Sequence, residues 1–158
     1  MAATATRATQ RLTQLAIEFR VHAYTHDPRA DAYGAEAVAA LGLDPAATFK
    51  TLVAGVDRSL VVAVVPVNAR LDLKALATAA GMKSLALADP SIAERATGYV
   101  VGGISPVGQT RRLPTFIDES ARGLATMFCS AGRRGLEIEL APDDLARACN
   151  ATFSRIAR

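Results

Sequence analysis

The chain is poor in the residues that bind metals and attack carbonyls. Its 158 residues include only 2 histidines and 2 cysteines. Cys129 and Cys149 have no CxxC spacing, and His22 and His26 have no His or Cys partner at zinc spacing. No metal and no cofactor is expected. Reduced thiols in a core are expected instead, which fits a cytoplasmic protein. Long apolar runs are also missing. The longest, Leu60 to Val65, is far shorter than the ~20 residues of a bilayer span. Met1 to Gln10 is polar and Ala/Thr-rich, without the apolar centre of a secretion signal. These gaps predict a soluble intracellular protein with no membrane partner.

Charge of one sign is scarce as well. The net charge is +3 and the sequence pI about 9.2, a mild bias towards polyanions that does not by itself argue for nucleic-acid binding. Arg111–Arg112 and Arg133–Arg134 each follow a glycine-containing loop, an arrangement that predicts both pairs at one pocket. No protein nucleophile stands out. Ser105 and Ser130 lack a histidine in a recognisable arrangement, and neither lies in a GxSxG elbow. Cys129 sits in an apolar stretch that disfavours a thiolate. Catalysis, if present, falls to main-chain N–H groups, one cation and the substrate's own groups.

What is present is a foldable chain, 51% hydrophobic and 21% charged, expected to form one domain over residues 1–158. Leu12, Leu15, Ala16 and Phe19 fall on one helical face, predicting a first helix that ends near Phe19. An extended piece follows at His22–Thr25, then a two-turn helix through Leu41 closed by Gly42. Phe49–Val56 and Leu60–Val65 read as a hairpin turned at Asp57-Arg58-Ser59, and their lack of alternation predicts burial on both faces. Asp72 caps a helix that Gly81 ends, and Asp89-Pro90 opens another that Gly98 ends. Ser84–Leu87, Leu113–Ile117 and Ala125–Ser130 read as strands, and Leu136–Leu140 alternates so that one face is wet. Pro142 opens a last helix with Asp143 and Asp144 in its first turn. Short strands without a regular βαβ rhythm argue against a Rossmann-type sheet. The expected class is α+β, a mixed, curled, barrel-like sheet surrounded by short helices.

Three stretches depart from ordinary core or loop chemistry. Gly98 to Gln109 runs Val100-Val101 into Gly102-Gly103, then Ile104, Ser105, Pro106 and Gly108. Glycine allows close approach and proline stiffens the turn, so the loop either presents N–H groups to an anion or is a tight turn. Lys50 interrupts an apolar strand, where it either snorkels to water from an edge or meets a phosphate or carboxylate. In Cys129–Gly135 a strand ends in a small-residue turn. There Ser130 donates to a ligand or caps the turn, and Arg133 and Arg134 hold phosphate or are simply solvated.

Taken together these residues resemble the YbaK/EbsC family of Cys-tRNA(Pro)/Cys-tRNA(Cys) deacylases, relatives of the editing domain of bacterial prolyl-tRNA synthetases. The likeness is carried by Lys50-Thr51-Leu52, Val65-Pro66-Val67, Leu71-Asp72-Leu73-Lys74, the stretch Glu94 to Gln109, and Ser130 to Gly135. It spans nearly the whole chain. Cys129 and Ala131 beside Ser130, and Glu137 where relatives often carry aspartate, are departures. The resemblance implies hydrolysis of the ester joining a wrong amino acid to the 3′ end of tRNA, with prolyl-tRNA synthetase as a further partner. It places the site between the Lys50-Thr51 strand and the loop of Gly102, Gly103, Ile104, Ser105 and Pro106. Lys50 would anchor the terminal phosphate or the aminoacyl end, and Tyr24, Ser130 and Glu137 would line the pocket. The substrate's own thiol would attack its ester. Main-chain N–H groups of Gly102 and Gly103 would then stabilise the oxyanion, or loop carbonyls would bind the ammonium. Two alternatives stay open: the same fold acting on another small aminoacyl-tRNA (Ala or Ser), or a non-catalytic module that binds a tRNA end or nucleotide. The oligomeric state is not legible.

Overall fold

Two sheets share the strands unequally. A computed structural model describes residues 4–158, so the first three residues of the polar Met1–Gln10 stretch lie outside the described residues. In chain order the elements are α1 (Arg7–Gln14), β1 (Arg20–Ala23), α2 (Tyr33–Leu41), β2 (Phe49–Val56), β3 (Ser59–Pro66), α3 (Leu73–Ala80) and β4 (Ala86–Leu87). They continue with α4 (Pro90–Thr97), β5 (Thr115–Asp118), a 3-10 turn at Glu119–Gly123, β6 (Met127–Arg133), β7 (Leu136–Leu140), α5 (Pro142–Cys149) and β8 (Thr152–Ser154).

The strand orders are β1-β7-β6 and β4-β2-β3-β5-β8. The β3–β5 and β5–β8 pairs are parallel and the others antiparallel, so the mixed α+β class is as expected. A single curled, barrel-like sheet does not form. The two sheets touch where Phe128 N–H donates to the Ala47 carbonyl at 2.9 Å and Thr48 bridges Phe128. The outer strands β4 and β8 have only 2 and 3 residues, too little ladder to close a ring.

The hairpin is the centre of the larger sheet. β2 and β3 pair from Phe49↔Pro66 to Val56↔Ser59 around a two-residue turn in which Asp57 takes φ +54°. Val62 and Val64 enter one apolar cluster with Leu12, Ile117, Ile138 and Leu145, while Val61, Ala63 and Val65 enter a second with Leu76 and Ile156. Both faces of β3 are therefore buried, and that is why its sequence does not alternate.

Local signals set most helix ends. The Asp72 side chain accepts from the N–H groups of Lys74 and Ala75, and Gly81 closes α3 at φ +71°. Asp89 stands at the head of α4, but its side chain caps nothing. The first helix ends at Gln14, five residues before the expected Phe19, because Ala16 turns left-handed at φ +56° and buries Ile17. β7 has no wet face at Glu137, which is only 7% exposed; its neighbour Glu139 is partly exposed and bonded to His22 and Thr126.

Candidate active site

A half-open cavity of about 420 Å³ lies between β2, the start of α2, the head of α4 and the loop after α4. Each wall has a local cause. β2 is covered by β4 only at Ala54 and Gly55, so Lys50 to Leu52 lie along an open stretch of edge. Gly34, near the start of α2, lets Val67 close in: a Cβ there would fall 2.6 Å from Val67 Cγ1. Gly102 takes φ +88° and lies under the Tyr33 ring. Arg134 stacks over the same Tyr33 ring, its guanidinium carbon 5.0 Å from the ring centre, while its Nε donates to the Val101 carbonyl at 2.8 Å.

Seven of the residues singled out from the sequence meet in this cavity: Lys50, Thr51, Gly102, Ile104, Tyr24, Ser130 and Glu137. Ser130 and Glu137 are cross-strand partners in the β6–β7 ladder, and His22 pairs with Glu137 on the other side. Ser130 Oγ accepts from Gly132 N–H at 3.2 Å, which leaves its own proton free to donate. Thr51 Oγ1 is buried without a hydrogen-bond partner among the described residues.

Five others stand elsewhere. The Gly103 N–H is spent on the Val100 carbonyl at 2.8 Å, and a Cβ at Gly103 would fall 2.9 Å from Arg133 main-chain atoms. The glycine pair thus makes room for protein, Tyr33 on one residue and the Arg133–Arg134 backbone on the next. Ser105 is fully buried and serves the turn, its Oγ accepting from Val107 N–H at 3.2 Å. Pro106 lines a second cleft together with Arg111 and Arg112. Arg133 and Arg134 line neither space, so the two arginine pairs do not share a pocket.

Electrostatics divide the cavity. Burial pushes the Glu137 carboxyl up to about 8, so it is largely protonated near neutral pH and offers a donor. Burial, then the nearby carboxylates Glu137 and Glu36, push the Tyr24 hydroxyl up to about 12. Lys50 is held below the ordinary lysine range by burial first and the Arg70 charge second. It takes part in none of the ion pairs among the described residues. Among the described residues the cavity therefore carries one uncompensated cation, Lys50, beside neutral donors. Burial raises the Cys129 thiol well above its usual range, which makes it no nucleophile. No group of three or more His, Cys, Asp or Glu among the described residues is placed to hold a metal ion. No helix among them is long and apolar enough to cross a membrane.

Sequence reasoning missed Tyr33 and the α4 wall of Pro90 and Ala93. The one available signal was Tyr33 preceding Gly34 at a helix start, a position compatible with close packing on another glycine.

A family model described as the aminoacyl-tRNA editing domain matches residues 26–148. The chain is 42% identical over 128 residues to EbsC of Enterococcus faecalis, a provisional Cys-tRNA(Pro)/Cys-tRNA(Cys) deacylase, across 80% of this chain and 78% of that one. It is 29% identical over 89 residues to the uncharacterised YwhH of Bacillus subtilis, across 56% of this chain and 54% of that one. Among solved structures it matches a provisional trans-editing enzyme for prolyl-tRNA synthetase, with a TM-score of 0.87 over 100% of this chain and 99% of that one. At 23% identity the last likeness is one of fold.

Proposed function

Because the chain belongs to the aminoacyl-tRNA editing domain family, we propose that it hydrolyses, in trans, the ester between a wrong amino acid and the 3′ end of tRNA. The YbaK/EbsC resemblance of its motifs agrees with that membership. Cys-tRNA(Pro) is the proposed substrate, with Cys-tRNA(Cys) beside it, and the name of the EbsC relative supports this choice.

The observation that carries the reading is an unpaired lysine and the Gly102 main chain on one cavity that holds no activated protein nucleophile. An aminoacyl ester is already reactive, so orientation and charge can supply much of the rate. Lys50 binds the terminal phosphate or the ester oxygen. The Gly102 N–H faces the developing oxyanion, a role its neighbour Gly103 has no free N–H to share. Glu137, Tyr24 and Ser130 receive the amino-acid end; a substrate ammonium beside Glu137 draws the carboxyl to ionise. The substrate thiol attacks its own carbonyl carbon, its proton passes to the departing tRNA 3′ oxygen, and water then opens the cyclic thioester to the free amino acid. Prolyl-tRNA synthetase is the proposed partner, because a surface of net charge +3 gives little tRNA selectivity alone.

Side-by-side assays on Cys-, Ser- and Ala-tRNA(Pro) test this. Cys-tRNA is expected to be hydrolysed and Ala-tRNA spared, since alanine has no side-chain nucleophile. Equal rates on all three would remove the thiol step and leave a general small-residue deacylase. Tight tRNA binding without ester loss in single turnover would replace the enzyme with a binding module.

A further inference from the structure

The loop that lines the cavity with Gly102 and Ile104 has a second exposure. Pro106, Gly108 and Gln109 line a separate cleft of about 550 Å³. Ile104 and Pro106 are two residues apart, at most about 7 Å of extended chain, so one loop reaches both spaces. Arg11, Arg111, Arg112 and Arg147 converge on this cleft, from α1, the segment before β5, and α5.

No aspartate or glutamate lines the cleft. Arg147 is partly compensated, its Nη2 lying 3.6 Å from Asp144 Oδ1, and the other three make no ion pair among the described residues. Cys149 on the cleft wall adds no negative charge, because burial pushes its thiol up to about 12. The chain has 18 basic residues against 15 acidic ones, so with four arginines gathered here the remainder is net acidic. Four of the chain's 18 basic residues thus line one cleft that no carboxylate lines. Guanidinium forks match phosphate oxygens in pairs, and several along one cleft match a chain of phosphates better than a single ion.

We propose that the cleft of Arg11, Arg111, Arg112 and Arg147 is a binding site for an RNA phosphodiester backbone, separate from the cavity and joined to it by the shared loop. The proposal rests on the reading of the cavity as the receptor for a tRNA end, since the backbone held here is that of the same RNA. The cleft supplies affinity without sequence readout, and the cavity supplies the chemistry.

The test is the double variant Arg111→Ala/Arg112→Ala, both side chains being exposed, with uncharged tRNA as probe across about 50 to 200 mM salt. The expected result is binding weaker by roughly tenfold to a hundredfold at the low-salt end. The slope of log affinity against log salt should be shallower by about 2. In turnover, KM for the aminoacyl-tRNA rises with kcat unchanged, while an aminoacyl-adenosine ester, too short to reach the cleft, is hydrolysed at the wild-type rate. Unchanged affinity and slope overturn the proposal, and so does equal loss on both esters with an unchanged melting temperature. Loss of inorganic phosphate binding alone, with tRNA binding intact, makes this a small-anion pocket and also overturns it. Should the double variant not fold, Arg11→Gln/Arg147→Gln is read by the same criteria. The tRNA-binding slope needs no turnover, so it decides the cleft even if the cavity proves not to hydrolyse esters.

Discussion

The Tyr33 ring occupies the space that a side chain at position 102 would need: a Cβ built on Gly102 falls 2.6 Å from Tyr33 Cδ1. With φ at +88°, the residue also sits where L side chains are strained. Gly102→Ala is expected to lower stability by about 1–3 kcal/mol and to depress deacylation further by displacing the loop. Gly123→Ala is the control, since nothing lies within 4 Å of its added methyl. Thermal melts and turnover of both variants check this.

Lys50 has no acidic partner to lose, so its removal is expected to cost activity and not fold. Lys50→Ala should lower kcat/KM by about 10²–10³ with a melting temperature at or slightly above that of the parent. Because burial and the Arg70 charge hold the Lys50 amine below the ordinary lysine range, activity should fall at a lower alkaline pH than an exposed lysine would give. Arg70→Ala should move that limb upward. A full pH profile of kcat/KM reads both.

Glu137 binds its proton more tightly folded than unfolded, from a usual 4.5 up to about 8. The folded state holds the extra proton between those values, so this group's contribution to stability declines as pH rises through that window. The slope is at most about 1.4 kcal/mol per pH unit. Glu137→Gln is expected to flatten it, as denaturant melts from pH 5 to about 8 would show. A slope unchanged in the variant would place the titration elsewhere.

Asp118 works in the opposite sense. Burial favours its protonated form, but the Ser120 hydroxyl and the N–H groups of Ile156, Ala157 and Ser120 outweigh it and hold the carboxyl below its usual range. Its stabilisation is present above pH 3.8 and is lost as pH falls through the lowered value. Asp118→Ala leaves the buried Ile156 N–H unpaired and should cost about 2–4 kcal/mol, whereas Asp118→Asn keeps an acceptor and costs less. Urea melts of the two variants separate them.

The sequence made the hairpin legible because both strands are largely apolar and the turn between them is polar. It made α3 legible because Asp72 and Gly81 bracket it. It did not show where α1 stops, since Ala16 takes a left-handed turn without a glycine to announce it. Nor did it show β8, whose three residues are defined as a strand by pairing with the distant β5. At the site, Lys50 was visible as a charge among apolar neighbours, and Gly102 as part of a rigid turn. The burial of Glu137 was hidden, because an alternating strand reads as half wet whether water or another protein segment covers the second face. The glycines were ambiguous for a related reason: sequence records the need for a missing side chain, not whether a ligand, Tyr33 or a backbone fills the gap.

The cavity takes its walls from positions as far apart as Tyr24, Lys50, Gly102 and Glu137. The Phe49–Val53 wall belongs to the β2–β3 hairpin, which pairs neighbours in sequence, and a hairpin of that kind assembles in about 1–10 μs. The β1–β7 pairing that carries Tyr24 to the cavity joins residues more than 110 positions apart, whereas Glu137 is also held by Ser130 on β6. On the proposed reading of the site, peeling β1 from β7 would withdraw Tyr24 while the lysine hairpin and Glu137 still stand, so the cavity would open in local fluctuations well short of global denaturation.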